Sequence, residues 1–153
     1  MNQSESLAVR MDEVLLNGSW IANTNIKEQL QKISWQQAKR KIGDHNSIAQ
    51  LIYHINYYIG GILNVLQGGD LEIRDKYSFD MAPIESAEDW QRLKEDYLKN
   101  ATMIVNAIKT QPFDIWGQPF VKEAYGSYER NLEGLIEHSY YHFGQISLLI
   151  KLV

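Results

Sequence analysis

Proline placement constrains this chain more than any other feature. Its three prolines, Pro83, Pro112 and Pro119, fall in two stretches, about residues 70–85 and 111–126. Proline removes a backbone donor and clashes with the preceding helical turn, so long runs on either side are left free to be helical. The apolar residues use that freedom. They recur at the three-and-four spacing of an amphipathic helix, and no segment shows a convincing strand alternation.

Four long helices follow. The first covers about residues 5–18, with Leu7, Met11, Val14, Leu15 and Gly18 on one face. Residues 19–46 are less regular: Asn23, Thr24 or Asn25 can cap a short helix carrying Ile26, Leu30 and Ile33. Ser34 and Gln37 then have the S-x-x-Q spacing of a capping box. The second long helix starts near Asn46 or Ser47 and ends at Gly68-Gly69. It carries two apolar stripes side by side, Ile48, Ile52, Ile55, Ile59, Ile62 and Leu66 beside Leu51, His54, Tyr58, Gly61 and Val65. A helix apolar over so wide an arc packs on more than one neighbour and is central. The third opens at Ser86, with Glu88 and Asp89 favourably placed in its first turn, and runs to about Thr110. The fourth runs from about Ser127 to the end. Four amphipathic helices pack most simply as a bundle, and the long connections leave room for crossovers without choosing a topology.

A chain of 153 residues is one domain's worth, residues 1–153, and long enough to bury a core. Its net charge of −4 argues against a nucleic-acid partner, as do lysines and arginines no denser than Lys39-Arg40-Lys41. The absence of cysteine excludes a disulfide scaffold, a catalytic thiol and any thiolate metal site. No basic segment precedes a long apolar run at the N-terminus, and the longest apolar stretches, such as Ile146 to Val153, fall short of the roughly 20 residues of a membrane span. The expectation is a cytoplasmic protein with no membrane association.

The histidines carry the chemistry. On the fourth helix Tyr128, Leu135, His142 and Leu149 are spaced by sevens, as are Asn131, His138 and Gln145. The two series interleave as the a and d positions of a packed seam do, which places both histidines in the seam. On the second helix His54 holds a similar position between Leu51 and Tyr58. Histidines four apart on a helix stack on one face with Cβ atoms about 5–6 Å apart, a separation that lets two imidazoles converge on one ion. A third from a facing helix leaves a coordination position open, the arrangement of catalytic rather than structural sites. All-imidazole ligation suits Zn, Ni, Fe, Co or Cu. A single histidine of this kind is more often hydrogen-bonded core. Three in apolar seams would each carry a cost of about 1–3 kcal/mol if unpaired, and one ion would offset all three. His45 lies in the turn before the second helix, where the expectation is a local role near its cap and the alternative a role at the site.

Familiar metal and phosphate motifs are absent. Ser139 follows His138 where an H-E-x-x-H protease needs glutamate. Leu51, Leu135 and Ser139 stand three residues before the histidines, where the di-iron carboxylate bundles need glutamate. No Gly-rich phosphate loop occurs. Glu133 and Glu137 project away from the histidine face, so no separate general base is visible. Gln145, Asn131 and Tyr58 can orient a ligand or support the imidazoles, or equally serve as polar residues at helix ends. Tyr53, Tyr141 and Trp116 read as packing.

The run His45 to His54, a small polar cap and an apolar stretch ending in histidine, joins with a terminal helix of form N-L-x-x-x-I-x-H-x-x-Y-H-x-G-Q-I, seen as Asn131 to Ile146. Together these resemble the DinB-like superfamily, which includes YfiT-type metal-dependent enzymes and the bacillithiol and mycothiol S-transferases. The resemblance spans nearly the whole chain. It implies an all-α, DinB-like four-helix bundle of up-down-down-up topology, often a homodimer, with a Ni- or Zn-type ion on three histidines that map onto His54, His138 and His142. It also implies a small-molecule substrate, in some members a low-molecular-weight thiol, and by analogy a hydrolase or transferase activity. The competing expectation is a non-catalytic binding or interaction module whose histidine cluster is structural or empty.

Overall fold

A computed structural model describes all 153 residues. The chain forms six helices packed together and no strand; one isolated bridge joins Pro119 and Ser127. The helices are α1 (Gln3–Asp12), α2 (Ile26–Leu30), α3 (Trp35–Lys39), α4 (Ile48–Leu66), α5 (Ala87–Lys109) and α6 (Tyr128–Ile150). Single 3₁₀ turns at Asp75–Tyr77, Phe113–Ile115 and Glu123–Tyr125 punctuate the two long connections. The proline-bearing stretches are those connections.

Most helix starts are set by one side chain. Asn2, Ser34 and Ser47 form reciprocal capping boxes with Glu5, Gln37 and Gln50. Asn25, Ser86 and Ser127 each accept from a backbone N–H in the first turn of α2, α5 and α6. The first helix differs from the simple expectation at its end. After Asp12 it widens into a π-helical turn, Glu13–Asn17, and Gly18 lies beyond it rather than on its apolar face. A Cβ at Gly18 would fall 2.5 Å from the Glu13 backbone, so the close approach that ends this turn needs glycine there. Gly68, with φ of +89°, ends α4 as its left-handed cap.

The central position expected for the second long helix is observed. Helix α4 packs on both α5 and α6, and α1 also packs on α5 and α6. Both apolar stripes of α4 are covered. Ile48, Ile52, Ile55 and Ile59 have no exposed surface, and Leu51, His54, Gly61 and Val65 are buried as well. Each fully buried side chain of this size contributes about 1.5–3 kcal/mol.

Several polar groups buried among these helices are paired across elements. The Tyr97 hydroxyl of α5 donates to the Leu15 carbonyl, 2.9 Å, satisfying an acceptor in the π turn. Gln111 donates to the Leu66 carbonyl at the end of α4, and Trp116 Nε1 to the Ser4 hydroxyl, 2.9 Å, which pins the second connection to α1. The first connection is pinned to α4: Tyr57 bonds both backbone groups of Arg74, and Ile73 fills the notch at Gly61, where a Cβ would come within 2.6 Å of it. That connection closes one wall of the site described next. No helix is long and apolar enough to cross a membrane.

Candidate metal centre

The structure brings His54 of α4 together with His138 and His142 of α6. One ring nitrogen from each lies within 4.8 Å of the others. The Nε2 atoms of His54 and His142 both stand 3.0 Å from Nε2 of His138. Two nitrogens bound to one ion at about 2.0–2.1 Å and a tetrahedral angle stand roughly 3.3–3.4 Å apart, so the observed spacing needs little adjustment. The i,i+4 step on α6 places two of the rings, and the packing of α6 on α4 brings the third.

The outer nitrogens set the tautomers. Nδ1 of His54 lies 3.2 Å from the Ser78 carbonyl, which only accepts, so Nδ1 carries the proton and Nε2 presents a lone pair. Nδ1 of His142 lies 2.6 Å from Oε1 of Gln145, with the same consequence. Two lone pairs therefore point at Nε2 of His138, which has at most one proton for them. Nδ1 of His138 is buried without a partner. Without an ion the cluster has an unsatisfied nitrogen in either tautomer of His138; a cation among the three Nε2 atoms is attracted by every ring. The residues fit a divalent transition-metal ion on this ground. Two of the three rings also have the outer hydrogen bond that commonly orients metal-binding imidazoles, and His138 lacks one.

Burial and mutual repulsion keep the rings neutral. Burial lowers the His138 pKa to about 4, reinforced by the other two histidines. The His54 pKa is lowered by burial and by His142, against an opposing hydrogen bond to Ser78. That of His142 is lowered by burial, against Gln145. Neutral imidazole is the form that binds metal.

Each anticipated residue has a definite place. Gln145 backs His142. Tyr58 presents its ring edge-on to His54 and His138 at 5.1 and 5.0 Å, while its hydroxyl donates to Asp75 at 2.8 Å. Asn131 shares a cleft with His138, but its Nδ2 is bound to the Tyr125 and Ser127 carbonyls near the start of α6, away from the rings. His45 is exposed and lines a different cleft. Tyr141 is 66% exposed and does not pack into the core, unlike the buried Trp116. Glu133 and Glu137 pair with Arg10 and Arg130, clear of the histidines.

His138 sits at the edge of the packed seam, not inside it. While His54 and His142 are buried, His138 is half-buried and opens on a cleft of about 470 Å³ whose other walls include Tyr58, Ile62, Arg130 and Gly134. Three residues of the first connection were not anticipated. Phe79 stacks flat on His54, with ring centroids 4.0 Å apart and 7° between planes. Ser78 supplies the carbonyl, and Asp75 holds Tyr58. The run Asp75 to Phe79 carries no helical periodicity that would assign it to a face. No family model, curated protein or solved structure matches this chain.

Proposed function

We propose that the chain is a metal-dependent enzyme acting on a small molecule, with one Zn- or Ni-type ion held by His54, His138 and His142. The observation that carries this reading is the convergence of three Nε2 atoms whose lone pairs are set by hydrogen bonds on the opposite side of two rings. A bound ion there would supply Lewis acidity, lowering the pKa of a water or thiol or polarising a carbonyl. The protein's own part is to keep the rings neutral, to shield one side with Phe79 and to leave the His138 side open to a cleft of substrate size. Tyr58, its hydroxyl held by Asp75, lines that cleft beside the rings.

The DinB-like reading belongs to the same proposal: a four-helix bundle of α1, α4, α5 and α6, with up-down-down-up order, a homodimeric state and a hydrolase or thiol-transferase activity. The pairwise packing of those helices and the two long connections support it. The rival reading, a hydrogen-bonded histidine cluster in a non-catalytic module, is less favoured because Nε2 of His138 has at most one proton for the two lone pairs that face it.

Titration of metal-stripped protein with Co²⁺ tests the site. The proposal expects visible absorption of a low-symmetry, four- or five-coordinate ion, saturating at one equivalent and displaced by Zn²⁺. Loaded protein is then assayed for transfer of a low-molecular-weight thiol to an electrophile and for ester and amide hydrolysis. Turnover in the loaded wild type but not in His138→Ala supports an enzyme. Saturable metal binding without turnover in either assay would favour a structural ion.

A further inference from the structure

Helix α4 has a second functional-looking face, turned away from His54. Tyr53, Asn56, Tyr57 and Asn64 line a cleft of about 450 Å³ that Glu72 and Asn100 complete from the first connection and from α5. Gly60 contributes no side chain to it, and Ile73, seated in the notch at Gly61, completes the lining. None of its lining residues belongs to the histidine cluster or to the cleft beside His138.

The lining is rich in carboxamides and phenols and has no cationic side chain. Asn100 donates to Asn56 at 3.0 Å. Whichever way that pair is turned, one carboxamide N–H₂ and one carboxamide C=O are left without a protein partner. Asn64 uses an N–H on the Asp70 carbonyl, which leaves its own carbonyl oxygen open. Glu72 adds an exposed carboxylate. The Tyr53 and Tyr57 rings lie one helical turn apart with 29° between planes, and Tyr57 is locked by two hydrogen bonds to Arg74. Together these make an aromatic surface bordered by closely spaced donors and acceptors.

That combination discriminates between ligand classes. A phosphate or carboxylate ligand would meet a carboxylate and no cation, which disfavours it. An apolar ligand would cover the carboxamide groups without replacing their hydrogen bonds to water. A polyhydroxylated ring offers alternating O–H donors and acceptors at its edge and C–H groups on its faces, matching both parts of the lining. We propose that this cleft binds an uncharged, hydroxyl-rich small molecule the size of a mono- or disaccharide.

The experiment is a ¹⁵N-correlation NMR titration of the full chain, kept metal-free with chelator, against glucose, galactose, N-acetylglucosamine, myo-inositol, maltose and trehalose. At least one is expected to shift the side-chain amide signals of Asn56, Asn64 and Asn100 saturably in the millimolar range. Asn100→Ala should weaken that binding by about tenfold, the loss of one or two hydrogen bonds. Glu72→Gln, an exposed change that leaves the fold intact, should weaken it severalfold if Asn100→Ala fails to fold. No saturable shift with any of the six would overturn the proposal. So would shifts confined to the cleft beside His138, or shifts that both variants retain unchanged.

Discussion

His138 should be a residue that the metal-free fold does not need. Its Nδ1 is buried without a partner, and its Nε2 faces two lone pairs with one proton at most. An unpaired buried nitrogen costs about 1–3 kcal/mol, offset by the about 0.5–1.5 kcal/mol of the one hydrogen bond that Nε2 can make. Replacing the ring by Leu removes the unpaired Nδ1 but strands one more lone pair on His54 or His142, and these costs roughly cancel, so His138→Leu in chelator is expected within about 1 kcal/mol of the wild type. With metal the two should separate. An ion at about a thousand times its Kd stabilises the wild type by about 4 kcal/mol, a rise in Tm of roughly 8–16 °C for a chain of this length. His138→Leu should lose most of that rise. Thermal melts of both proteins, in chelator and then in excess Zn²⁺ or Ni²⁺, make the comparison. If His138→Leu is as strongly destabilised in chelator as in metal, His138 is a packing residue and the reasoning fails.

Three further outcomes follow from the same structure. The folded-state pKa values of the three histidines lie below that of free histidine, with His138 at about 4. Between pH 6.5 and 4 the unfolded chain therefore binds more protons, and stability of the metal-free protein should fall as pH drops through that window. Half-buried, His138 feels this shift softened by solvent; urea midpoints at pH 7, 6 and 5 should fall less steeply in His138→Leu than in the wild type, and equal slopes would contradict the assignment. Gln145→Ala removes the acceptor that orients His142, so metal affinity should drop about 10–100-fold in competition with a chromophoric chelator, while the stability in chelator falls by up to the about 1–3 kcal/mol of a stranded N–H. Tyr97→Phe strands the Leu15 carbonyl in the π turn and should cost about 1–3 kcal/mol in urea unfolding; an unchanged midpoint would show that water reaches that carbonyl.

The helices were legible because their ends are written in single residues. Ser47, Ser86 and Ser127 cap α4, α5 and α6 where their spacing indicated, and the two α4 stripes are buried but for Tyr58 at the cleft. The meeting of His54 with His138 and His142 followed from the same periodicity. The seam reading was too coarse for His138: the Asn131, His138 and Gln145 series is half-buried along its whole length, at the seam's edge, while Leu135, His142 and Leu149 are buried. That edge position opens His138 to a cleft. The π turn at Glu13–Asn17 has no pattern of its own, and its stabilising partner, Tyr97, is 82 residues from Leu15. Ser78 and Phe79 were hidden for a related reason. Their contacts with His54 depend on how the first connection folds over α4, and anchors such as Ile73 in the Gly61 notch become visible only in three dimensions.

The most direct test of the central claim is elemental analysis of the protein purified without an affinity tag, beside His54→Ala, His138→Ala and His142→Ala. The account predicts about one zinc or nickel ion per wild-type chain, and little in each variant while all remain folded by circular dichroism. A wild type that holds no metal after incubation with either ion, or variants that retain it, would contradict the three-histidine centre.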